Sequence, residues 1–192
     1  QDKTIVTDET LRRLAAKDSI EAIEAIRLIG SRKTDHLREA VEGRLNAVQP
    51  AIRAAAYGTL TRLNGARMPD VREALENMLH SPKAEERVAA LDETSRIEGI
   101  LTTAMLGDAL GDPSRVVRIK ALQTATAHPC EQHAPLIAAA LGDSTLFAAA
   151  RDALAALPPV TALSALVDQL EKSTPVSTRK AVLRAMKICP LP

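Results

Sequence analysis

A chain of 192 residues, 46% of them apolar, is long enough for one domain with a substantial buried core. It holds no Trp, one Tyr (Tyr57) and one Phe (Phe147), so the core is built from Leu, Ile, Val and Ala, and the stacking platforms that grip single-stranded nucleic acid are missing. The formal charge of +1 lacks the electrostatic footprint of a duplex binder.

Taken in order, residues 1–6 read as a lead-in, and Thr7-Asp8-Glu9 caps a first helix through Leu11 and Leu14. Asp18-Ser19 starts its partner, with Ile20, Ile23, Ile26 and Ile29 inward and Gly30 as the stop. A second pair runs from Asp35 to Leu45 and from Gln49-Pro50 to Leu63, ending at Asn64-Gly65. A third runs from Pro69-Asp70 to Leu79 and from Pro82 to Ile97. The fourth begins near Glu98-Gly99 and stops before His128-Pro129; the fifth ends at Pro158-Pro159, and the sixth follows. Turns rich in Gly, Pro, Asp and Ser separate the pieces. The units are expected at 7–30, 35–65, 69–97, 98–127, 130–157 and 160–189, within a single domain over 1–192.

The clearest unit is Asp112 to Leu122. Asp112 is expected as N-cap and Pro113 at the first helical position, followed by an apolar stripe of Val117, Ala121, Leu122 and Ala125. Taking Leu122 as the anchor, equivalents stand at Ile26, Tyr57, Leu91, Leu154 and Leu183, at intervals of 31, 34, 31, 32 and 29 residues. Each is preceded by Ala or, at Val182, by Val. Four residues before the anchors stand Ala22, Arg53, Arg87, Arg118, Ala150 and Arg179, and ten before them Ser81, Asp112, Ser144 and Ser173 are cap-like. A second ladder, Leu14, Leu45, Leu79, Leu110, Leu141 and Leu170, marks the first helix of each pair. Neither helix of a pair can bury its stripe alone, so the pairs are expected to stack.

The Asp-Pro-x-x-x-Val-Arg-x-x-Ala-Leu pattern resembles the HEAT-like repeat family, especially its short bacterial form. It is matched best at 112–122, and partly at Ser81-Pro82 to Leu91 and at Ser173 to Leu183. The resemblance spans essentially the whole chain. It implies an all-α fold, an α-α superhelix (solenoid) of about six two-helix repeats with the second helices lining a concave face. It also implies a non-catalytic protein-interaction scaffold. Ala150, where the pattern has Arg, interrupts any polar ladder in the fifth unit. No His-Glu dipeptide recurs, unlike the HEAT-like metal-dependent hydroxylases, and the lack of Trp departs from the HEAT-like DNA glycosylases.

Several constellations carry more than one reading. Arg53, Arg87, Arg118 and Arg179 form either a guanidinium row for an acidic ligand or a structural ladder that bonds caps and carbonyls; the spacing shared with Asp112 favours the ladder. His128, Cys130 and His133 could contribute to a zinc site only with a fourth ligand such as Glu131, and an ordinary loop is the simpler reading, so no metal and no cofactor is expected. His36 and His80 stand alone near helix ends. The concave lining is expected to include Arg27, Arg62, Arg96, Lys120, Gln123, Lys180, Arg184 and Lys187, with Glu24, Asp92, Glu93 and Asp152 interspersed. A mixed lining suits a protein or peptide partner better than nucleic acid, and a plain solvated face is its bland alternative.

Charge is uneven: residues 1–98 hold 33 of the 49 charged side chains. Ala134–Leu141 and Thr145–Leu157 are apolar nearly all round, which suits burial on several sides or an Ala-rich surface. Self-association through 145–167, or contact with a neighbouring domain, is therefore an expectation. No apolar run reaches a membrane span, since Pro158-Pro159 breaks the longest uncharged run at 153–167. Cys130 and Cys189, two repeats apart, are not expected to bridge. The start at Gln1 and the end at Cys189-Pro-Leu-Pro192 read as a processed protein or a piece of a larger one, for which the cytoplasm is the favoured compartment. The competing functional readings are a regulatory or accessory domain of a larger transporter or signalling protein, and a nucleic-acid-processing or lyase-type accessory protein. Nucleotide loops and nucleophile elbows are absent.

Overall fold

In the computed structural model, residues 6–63, 68–172 and 175–188 are described, and among them the regular structure is entirely helical. The chain divides into two compact units, residues 1–100 and 101–192.

The first unit contains α1 (Asp8–Ala15), α2 (Ile20–Ser31), α3 (Arg38–Glu42), α4 (Pro50–Arg62), α5 (Met68–Leu79) and α6 (Ala84–Thr94). The three second helices pack in a row, α2 on α4 and α4 on α6, while α1, α3 and α5 cover their flanks. Thr7 caps α1 as expected, its hydroxyl accepting from the Thr10 amide at 3.3 Å. Leu11, Ile26, Ile29, Leu37, Val41 and Ile52 form one buried cluster, and Val71, Leu75, Ala90 and Ile100 belong to a second. Each large side chain buried in this way stabilises the fold by about 1.5–3 kcal/mol before its ordering entropy is counted.

Gly30 does not stop α2, which runs on to Ser31 and turns at Lys33 with φ +53°. Gly30 is instead a contact point. A Cβ there would meet Thr59 of α4 at 3.0–3.3 Å, and the Thr59 hydroxyl donates to the Ile26 carbonyl at 3.0 Å. A missing side chain on one helix thus admits a buried hydroxyl from the next.

The second unit contains α7 (Thr103–Leu110), α8 (Arg115–Ala127), α9 (Ala134–Ala140), α10 (Phe147–Ala155), α11 (Pro159–Glu171) and α12 (Val176–Ile188). Here α7 packs on α8 and α9, α9 on α10 and α11, and α8 on α10. Thr102 caps α7 through the Met105 amide at 3.2 Å. Pro159 opens α11 at the position where its absent N–H costs nothing, so the Pro158-Pro159 pair begins a helix as well as separating two. The backbones of α10 and α12 barely approach each other, in contrast to the close pairing of α8 with α10.

Three helix starts differ from the expectation for a reason of turn chemistry. At α6 the N-cap is Lys83 and not Ser81, whose hydroxyl accepts from the Lys83 amide at 3.2 Å, and two more lie in the second unit. Asp112 is not the N-cap of α8; Ser114 is, and Pro113 lies in the turn before it. The Asp112 carboxylate accepts from the Ser114 amide at 2.7 Å, closing an Asx turn. In the fifth pair Asp143, rather than Ser144, does the same with the Thr145 amide at 2.9 Å. The turns Leu110-Gly111-Asp112 and Leu141-Gly142-Asp143 are identical and 31 residues apart, and the helix that follows the second is displaced by one residue.

The residues preceding the anchors, Ala25, Ala56, Ala90, Ala121, Ala153 and Val182, are all buried. The anchors themselves are less uniform. Tyr57 is half-buried and Leu183 is 50% exposed, because Val182 and Ala185 face inward on α12.

Candidate functional site

The arginines of the repeat position bond within the fold. Arg53 donates to the Ala47 and Val48 carbonyls at 2.7 and 3.0 Å, Arg87 to Ser81 at 2.8 Å, and Arg118 to Asp112 and Pro113 at 2.7 and 3.1 Å. Each has an acceptor six residues back, in the turn that leads into the helix, and Arg53 and Arg118 add a second one five residues back. Two of the guanidinium groups also reach a carboxylate of the following pair: Arg53 to Glu86 at 3.0 Å and Arg118 to Asp143 at 3.6 Å. A hydrogen bond from Ser81, with the charges of Arg53 and Lys83, holds the Glu86 carboxyl below its ordinary value. Hydrogen bonds from Thr145, then the charges of Arg115 and Arg118, do the same for Asp143. Arg179 is exposed, and the carbonyl six residues before it belongs to Ser173, outside the described residues.

Arg27, Arg62 and Arg96 gather around one carboxylate. Glu93 on α6 is 0% exposed, and its Oε2 accepts from Arg27 Nε at 3.2 Å and Nη2 at 3.0 Å. Arg27 also reaches Asp92 at 2.7 Å and Glu24 at 3.3 Å. Arg62 stands 3.8 Å from Glu93 Oε1 and donates to the Arg96 carbonyl at 3.1 Å, and Arg96 reaches Asp92 at 3.3 Å. Glu93 Oε1 has no hydrogen-bond partner. Gly58 makes this possible, since a Cβ there would come within 2.0 Å of Oε1. Burial pushes the Glu93 carboxyl above its ordinary 4.5, and the attraction of Arg27, Arg62 and Arg96 offsets only part of that. The cluster joins α2, α4 and α6 by charge, and it occupies three of the four arginines that the sequence offers to a partner, all but Arg184.

In the second unit, Gln123 of α8 is exposed, and Lys120 is half-buried and engaged. Arg151 turns to its neighbour Asp152. On α12, Lys180, Arg184 and Lys187 are exposed, and among the described residues no carboxylate pairs with them. Where α12 stands off from α10, an open groove of about 330 Å³ is lined by Leu141, Gly142, Ser144 and Phe147 on one side. Ser177, Lys180, Ala181 and Arg184 form the other side. The Arg184 guanidinium lies over the Phe147 ring, 5.3 Å from its centre.

His128, Cys130 and His133 are not gathered with further ligands: among the described residues no group of three His, Cys, Asp or Glu side chains is placed to hold an ion. His133 turns into the unit, its Nε2 donating to the Thr103 carbonyl at 2.9 Å beside Gly107, while His128 is exposed and Cys130 is a free thiol. His36 contacts Asp8 at 2.9 Å, and His80 Nδ1 bonds the Glu76 carbonyl at 2.8 Å. No described helix is long and apolar enough to cross a membrane.

The large apolar side chains left exposed within 145–167 are Val160 and Val167 of α11, at 73% and 38%. On α10 the buried face of Ala150, Ala153 and Leu154 packs in the fold, where α8 and α9 are its neighbours. The sequence matches no protein-family model and no curated protein.

Sequence reasoning counted Glu93 as one charge among several in the lining and missed its burial. The signal available was Gly58 in mid-helix, a residue that costs stability there unless something packs against it. Phe147 and Ser144 were not connected to Lys180 and Arg184, because the groove depends on how far apart two helices stand.

Proposed function

We propose that the helix pairs are HEAT-like repeats of one α-solenoid, and that the chain is a non-catalytic scaffold that binds a protein or peptide partner. The observation that carries this reading is the open groove between α10 and α12. There the second helices separate, and cations remain that no described carboxylate neutralises. A row of second helices is the face on which stacked repeats present binding surfaces. A side-chain-sized groove with an aromatic, hydroxyls and cations is suited to hold a segment of another chain. Exposed Leu136, Val160 and Val167 on α9 and α11 favour, as a second reading, an accessory domain that packs against a neighbour through that side.

The test is a titration of the isotope-labelled chain with acidic, basic and apolar peptides, followed by amide chemical shifts. Saturable shifts that map to α10 and α12 with any one class support the scaffold reading. Flat spectra with all three classes overturn it.

A further inference from the structure

Building on that reading, we propose that the α10–α12 groove receives an acidic peptide segment. A carboxylate side chain sits between Lys180 and Arg184, and an adjacent apolar side chain rests on Phe147 and Ala181. The charge argument comes from the helix itself. α12 carries Arg179, Lys180, Arg184 and Lys187 and no acidic residue over Val176–Ile188. Elsewhere in this protein a partly buried guanidinium is met by a carboxylate of a neighbouring helix, as Arg27 is by Glu93 and Arg53 by Glu86. The facing wall of the groove supplies no such group: Leu141, Gly142, Ser144 and Phe147 carry no charge. The nearby Asp143 is already engaged by Thr145, Arg115 and Arg118. The groove is therefore complementary to an incoming carboxylate.

The rest of the wall fixes what surrounds that carboxylate. Phe147 holds the Arg184 guanidinium over its ring, which keeps the cation at the groove instead of free in solvent. Ser144 and Ser177 provide hydroxyl donors at the rim, and Ala181 and the remaining edge of Phe147 offer apolar surface over the buried Leu141. This combination fits a peptide in which acidic and apolar residues alternate. It fits a nucleic acid poorly, because the cations lie on one helix and the one aromatic ring is already covered.

The probe is a dye-labelled peptide of alternating Glu and Leu, followed by fluorescence anisotropy, with a Gln and Leu peptide as its neutral counterpart. The Glu peptide should bind saturably and more weakly as salt is raised. Reversing two facing charges with Lys180→Glu and Arg184→Glu together should weaken it by roughly tenfold or more. Lys17→Glu in the first unit should leave it unchanged. Both lysines and Arg184 are exposed, so these variants keep the fold, and circular dichroism checks that. Equal affinity of the double variant, equal affinity of the neutral peptide, or displacement of the peptide by an oligonucleotide would overturn the proposal. If only basic or apolar peptides bind, the scaffold reading stands and the acidic specificity falls; if no peptide binds, both fall.

Discussion

The two units hold similar helices and use their charge in opposite ways. The first, though rich in charged residues, directs Arg27 and Arg62 inward to the carboxylates of Asp92 and Glu93, and engages the exposed Arg96 through Asp92. The second has fewer than half as many, yet on α12 it leaves basic side chains facing solvent with no described acid beside them. The abundance of charge in a sequence is therefore a poor guide to the charge a surface can offer. A single buried carboxylate on a neighbouring helix withdraws several cations from circulation, and where that carboxylate is absent even a sparse helix has binding capacity.

The sharpest way to break the comparison is to remove the carboxylate. Glu93→Ala leaves Arg27, a side chain only 18% exposed, with Asp92 and the exposed Glu24 as its remaining partners. Stripping one partner from a buried ion pair costs about 3–5 kcal/mol, and the retained Asp92 places this variant at about 3 kcal/mol in chemical denaturation. Glu93→Gln preserves the shape and isolates the ionisation. Because burial raises the folded pKa of Glu93 above its unfolded value, its contribution is fully present below the ordinary 4.5 and is lost as pH rises through the folded value. The wild type should accordingly gain stability relative to Glu93→Gln as the pH is lowered through that window. Parallel pH curves for the two proteins would show that the carboxyl is not perturbed.

Next in size is Gly58→Ala. An added methyl would sit on the Glu93 carboxylate, and overpacking of this kind costs about 1–3 kcal/mol. The same substitution made on Glu93→Ala should cost much less, since the obstructing group is gone. Additive effects in that double-mutant cycle would mean that Gly58 and Glu93 act separately.

These residues also show where the sequence was legible. The repeat period could be read because small residues at one position, Ala25 through Val182, must be buried for neighbouring helices to pack, and burial leaves a composition signal. The all-helical class followed from the same pattern. The start of α8 is two residues later than Asp112 and Pro113 suggest, because an Asx turn and an N-cap use the same residue types. The charge centre was illegible because it depends on a glycine 35 residues away that happens to face Glu93. Lys180 and Arg184 could be named in advance, but Phe147 opposite them could not.

Smaller effects come from the arginines that serve the turns. Arg118→Ala removes two hydrogen bonds to the Asp112 and Pro113 carbonyls and a contact with Asp143, and should cost about 1–2 kcal/mol in thermal or chemical unfolding. Arg118→Lys should recover little of it, because an ammonium lacks the planar fork that addresses a turn and a carboxylate together. Full recovery by lysine would mean that charge alone matters at this position.

The smallest effect on stability, and the one that most directly contrasts two faces of the second unit, is expected from Val160→Ser with Val167→Ser. Both side chains lie on α11, and Val160 lines a shallow groove with Glu131, Pro135 and Ser164. Replacing exposed valines removes little buried area, so unfolding should shift by less than about 0.5 kcal/mol each. If this side meets another copy, light scattering of the wild type should show association that rises with concentration and disappears in the variant. The charge-reversed α12 variant should associate as the wild type does. Loss of association in the α12 variant instead would place self-contact at the basic groove, and would mean that the groove's acidic occupant is a second copy of this chain.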